Sequence, residues 1–153
     1  MHHDRLRPSP WQRQGLLAVG LLLAATGAAW LALHYRSGSD GLPLPAEAWL
    51  MRLHGAGAFA ALFFAGLMAG HHIPAGWRAA QRPRHAGQRR SGLLLCSMAA
   101  VSVATGYALY YFAPEWLRPA LGWLHAGFAT LLLLAGAWHA RQRATSRHNR
   151  PKP

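Results

Sequence analysis

The chain has 153 residues, 52% hydrophobic and 13% charged, with a formal net charge of +12 and a single cysteine. Its mean hydropathy of +0.06 averages basic tails with apolar runs that are too long and too free of charge for a soluble core. One cysteine closes no internal disulfide, and the absence of CxxC or CxxCH argues against zinc-finger chemistry and covalent c-type haem attachment.

Residues 1–14 are polar and basic, with Pro8 and Pro10, and read as a cytoplasmic tail with Trp11 at headgroup level. The first apolar run is Gly15–Tyr35. A cleaved signal peptide is the rival reading, given the basic start and the small residues Thr26-Gly27-Ala28. The run continues through Trp30 and Leu33, beyond a typical signal core, which favours a spanning helix. His34 closes it and reads as an interfacial histidine facing water rather than a ligand. The Gly-, Ser- and Pro-rich stretch 37–45, which includes Asp40, is a loop. Ala46 and Glu47 open a short lead-in that carries Trp49.

The second run, Leu50–Ile73, is expected to end at Pro74-Ala75-Gly76, and its Gly66 and Gly70 to admit a neighbouring helix. Residues 77–90 form a basic loop in which His85 is solvated. The third run, Ser91–Phe112, has no histidine. Its Cys96 reads as a small buried apolar residue, and Tyr107, Tyr110 and Tyr111 as an interfacial belt. The fourth run is Leu121–Ala140. The expectation is an all-α, four-helix transmembrane bundle over residues 15–141, followed by a basic cytoplasmic tail at 142–153.

With the N-terminus inside, thirteen of the sixteen Lys and Arg residues are cytoplasmic, leaving only Arg36, Arg52 and Arg118 outside. Tryptophans mark both boundaries: Trp30, Trp49, Trp116 and Trp123 outside, and Trp11, Trp77 and Trp138 inside. This is the pattern of a multi-pass protein of a bacterial inner membrane with both termini cytoplasmic. Its basic face suits anionic lipid, so the charge does not call for nucleic acid as a partner.

The candidate site is a set of histidines. His54 and His72 are eighteen residues apart, five turns at ~100° per residue, and so share a face with Gly57, Ala58, Ala61, Ala65 and Met68. His125 and His139 are fourteen apart, within ~40° of whole turns, and Gly136 lies one turn above His139. Alternation makes the second and fourth helices parallel, so His54 is level with His125, and His71 and His72 are level with His139. Intramembrane histidines are functional candidates because leaving them unpaired in hydrocarbon is costly.

Two histidines on the second helix and two on the fourth, in four apolar helices, resemble the haem-binding half of cytochrome b and small bacterial membrane di-haem cytochromes b. The resemblance implies one or two b-type haems, His54 with His125 holding the outer one and His72 or His71 with His139 the inner one. It also implies quinol and a redox protein as partners, within an electron-transfer subunit of an oxidoreductase. Gly57 and Gly136 would let a porphyrin approach the backbone, and Arg52 would pair with a propionate. Ion pairing of the outer arginines with Asp40, Glu47 and Glu115 is the simpler alternative. One departure stands out: the second helix separates its histidines by ~27 Å and the fourth by ~21 Å. Met68, fourteen residues from His54, is a second candidate for the inner iron. From a different class, the chain reads as a cofactor-free membrane subunit or assembly protein whose histidines join helices.

Overall fold

The computed structural model describes residues 8–36, 44–79 and 86–148, and among these the chain is helical almost throughout. The helices are α1 (Pro10–Arg36), α2 (Pro45–Leu67), α3 (Ile73–Ala79), α4 (Ala86–Tyr111) and α5 (Arg118–His148), with a π turn at Met68–His72 joining α2 to α3. Four of the helices are long and apolar enough to cross a membrane. The all-α, four-helix membrane expectation therefore stands. Asp40 and His85 fall outside the described residues.

The chain divides into two compact units, residues 1–76 and 77–153. Each is a helical hairpin, α1 packing on α2 in the first and α4 on α5 in the second. α1 and α2 begin earlier than the apolar runs because polar side chains in their first turns cap them. The Ser9 N–H donates to Gln12 Oε1 at 2.9 Å, half of a capping box, and Pro10 takes the first helical position, where no N–H is needed. α2 starts in the same way: Pro45 is at its first position, and Glu47 Oε1 accepts from the Leu44 N–H at 3.4 Å. α5 continues past the expected end of the membrane domain as far as His148, so the first part of the basic tail is helical.

The second apolar run does not stop at Pro74. The helix widens into the π turn, in which the Ile73 N–H reaches Met68 O, and then continues as α3. Proline has no N–H and its ring crowds the carbonyl four residues back, so a wider turn just before it relieves the conflict. The same-face relation of His54 and His72 holds only for an unbroken α-helix. One extra residue in a turn brings His72 round by up to ~100° and shortens the axial gap to His54 by ~1.5 Å.

Burial is inverted relative to a water-soluble domain. Among the described residues only Thr26, Glu47, Gly57, Ser91, Thr105 and Ala113 are buried, whereas Phe59 is 78% exposed and Tyr110 80%. Large apolar side chains facing outward need an apolar solvent, and backbone polar groups satisfied within helices let the chain enter it. Cys96, expected to be buried, is exposed on this outward surface.

Close approach inside the first hairpin is made at glycines other than the expected pair. A Cβ on Gly57 would lie 3.1 Å from Leu23 Cδ2 and 3.3 Å from Leu22 Cδ2, and the Phe64 ring fills the space beside Gly15. Gly66 and Gly70 have no described neighbour within 4 Å of a Cβ position. Valine at position 57 should therefore destabilise the protein by about 1–3 kcal/mol through overpacking, and valine at 66 by much less. Denaturant titration of Gly57→Val and Gly66→Val in detergent checks this.

Candidate functional site

Four histidines in the two hairpins are paired with a side chain on the neighbouring helix. In the first hairpin, His54 Nδ1 lies 3.0 Å from Thr26 Oγ1, and His34 Nδ1 lies 3.2 Å from Glu47 Oε2. In the second, His125 Nδ1 lies 3.0 Å from Thr105 Oγ1, and His139 Nδ1 lies 2.8 Å from Ser91 Oγ. The four partners Thr26, Glu47, Ser91 and Thr105 are the buried polar residues of the described chain. What these hairpins enclose is the polar half of each histidine pair.

The surroundings differ from pair to pair. Thr26 and Thr105 also donate to their own helices, Thr26 Oγ1 to Leu22 O at 2.7 Å and Thr105 Oγ1 to Val101 O at 2.8 Å. Each is followed by a glycine, and the histidine ring lies against it. A Cβ on Gly27 would be 3.4 Å from His54 Cε1, and one on Gly106 would be 3.1 Å from His125 Cε1. His34, read as a water-facing residue, is half exposed but also bound. It stacks on Trp30 with ring centroids 4.5 Å apart and meets the nearly buried Glu47.

The remaining expected site residues are placed as follows. His72 is part-buried at the end of the π turn, Met68 is part-buried at its start, and the His71 side chain lies outside the described residues. Gly57 faces Leu22 and Leu23 of α1, and the nearest neighbour to Gly136 is Leu95 of α4, 3.9 Å from a Cβ position. Arg52 is exposed, with its guanidinium 4.9 Å from the Trp49 ring centroid. Glu47 pairs with His34 rather than an outer arginine, and Arg118 donates to Ala113 O at 3.2 Å. His54 and His72 belong to the first unit, His125 and His139 to the second. Among the described residues, no three His, Cys, Asp or Glu side chains converge on one point.

The hydroxyl partners are the residues that sequence reasoning passed over. Thr26 entered it only as a small residue in a cleavage motif, and Ser91 only as the start of an apolar run. A repeat could have revealed two of them: Ala-Thr-Gly occurs at 25–27 and 104–106, and Leu-His at 53–54 and 124–125.

Fold and site together define a multi-pass membrane protein whose paired helices hold histidines through buried hydroxyls and a carboxylate. Comparison with protein families, with characterised proteins and with solved structures returned no match.

Interhelical hydrogen bonds in membranes average about 0.6 kcal/mol and reach about 1.7. A double-mutant cycle of Ser91→Ala and His139→Leu should give a coupling in that range, near its upper end because Ser91 is 1% exposed. Strict additivity of the two substitutions in unfolding experiments would contradict the pairing.

Proposed function

We propose that this chain is a b-type cytochrome of a bacterial inner membrane, passing electrons from a quinol to a redox partner protein. The observation that supports it is that the four buried polar residues of the described chain, Thr26, Glu47, Ser91 and Thr105, each meet a histidine. Histidine ligands to metals are oriented by a hydrogen bond at the second ring nitrogen. His54, His125 and His139 each meet their hydroxyl through Nδ1, so coordination through Nε2 would keep that bond. The donor set therefore fits b-type haem, which needs two axial imidazoles and no covalent link.

On this reading His54 and His125 are the ligands of one haem, and His72 and His139 of the other, with Met68 as the alternative to His72. When bound, haem supplies a reversible one-electron change at iron. The residues of the chain bind and orient. Thr26, Thr105 and Ser91 fix ring direction, outward apolar side chains keep the site dry, and Arg52, two residues before His54, offsets an anionic substituent. The excess of Lys and Arg at one set of helix ends supports, by the positive-inside rule, a topology with both termini in the cytoplasm.

One observation favours a second reading. The same four pairs, each closed within its own hairpin, would suit a cofactor-free interaction protein in which histidine joins helix to helix. Haem content separates the two. After expression with added haem precursor, His125→Ala should lose at least half of the bound haem per chain, and His34→Ala should keep nearly all of it. Equal haem content in the two purified variants would remove the outer ligand pair, and no haem in the parent chain would leave the second reading.

A further inference from the structure

Thr26 and Thr105 stand in matching places. Each sits on the first helix of its hairpin inside Ala-Thr-Gly, opposite the Leu-His of the second helix. Each hydroxyl makes the same three contacts. Thr26 Oγ1 is 2.7 Å from Leu22 O, 3.2 Å from Leu23 O and 3.0 Å from His54 Nδ1. Thr105 Oγ1 is 2.8 Å from Val101 O, 3.2 Å from Ser102 O and 3.0 Å from His125 Nδ1.

Counting protons fixes the direction of the third contact. A hydroxyl has one hydrogen, and a carbonyl oxygen can only accept. With the threonine hydrogen on its helix carbonyls, each Oγ1 offers the histidine a lone pair and Nδ1 is the donor; at His125 the Ser102 carbonyl is a further acceptor for the ring. A neutral imidazole carries one N–H, so Nε2 holds the lone pair. Gly27 and Gly106 let the ring lie against the first helix at this angle, where a Cβ would meet Cε1.

We infer that Thr26 and Thr105 are a duplicated pair of positioning residues that hold His54 and His125 in the Nδ1–H tautomer, which makes Nε2 the nitrogen that would meet a metal-centred ligand. The identity of that ligand as haem rests on the function proposed above; the tautomer does not. The bond has an electronic effect too. Donation from Nδ1–H to a hydroxyl makes Nε2 more basic, which stabilises the oxidised metal. Removing either hydroxyl should therefore raise the reduction potential of a haem held at that histidine.

The test uses the full chain in lipid bilayers, labelled with ¹⁵N-histidine and free of haem, at neutral pH. His54→Gln and His125→Gln variants assign the signals. Protonated Nδ1 should dominate at both rings. It should become the minor form at His54 in Thr26→Val, fall by less at His125 in Thr105→Val, where the Ser102 carbonyl remains, and return with serine at either position. Protonated Nε2 at both rings of the parent chain, a result that needs no variant to fold, overturns the inference. Protonated Nδ1 in a chain that takes up no haem supports the positioning role and overturns the haem reading alone. In a haem-loaded chain, a potential unmoved by both valine variants overturns the electronic role.

Discussion

A polar ring inside a bilayer needs a hydrogen-bond partner, and His34, His54, His125 and His139 find one on the adjacent helix. Thr26, Thr105, Ser91 and Glu47 are buried because they face His54, His125, His139 and His34. Apolar association cannot hold these helices together in lipid, where the solvent is as apolar as the side chains. Hydrogen bonds and close packing at small residues remain. The hairpins use both, with Gly15 and Gly57 closing the first against aromatic and leucine side chains.

That constraint links packing to chemistry. A histidine held through Nδ1 has a defined ring plane and a defined second nitrogen. The glycine after each threonine brings the ring close to the helix backbone, so direction and distance are set by the same short stretch. At the far end of α2, the π turn before Pro74 rotates His72 away from the line running down from His54. The two ends of the second apolar run are therefore built by different means. His54 meets a residue of the partner helix, and His72 lies where the helical pitch changes.

The four spans were legible from length and charge alone, because a bilayer imposes its thickness on the sequence. The histidines were legible as candidates because polar residues are rare in such runs. Their hydroxyl partners were not, since they lie 20 to 48 residues away on other helices. The third apolar run has no histidine to mark it, yet α4 carries both Ser91 and Thr105. Gly57 does share a face with His54, as its spacing implies, and that face packs on Leu22, Leu23 and Thr26 of α1. The helix stop assigned to Pro74 assumed that proline ends a helix, whereas a widened turn absorbs it.

The reduced-minus-oxidised absorption spectrum of the intact chain, purified in mild detergent, tests the central claim most directly. A chain whose histidines serve b-type haem should show a Soret band and, on reduction, sharp α and β bands. A spectrum with only protein absorption, from a chain expressed with ample haem and still folded, would contradict it and leave the histidines as bonds between helices.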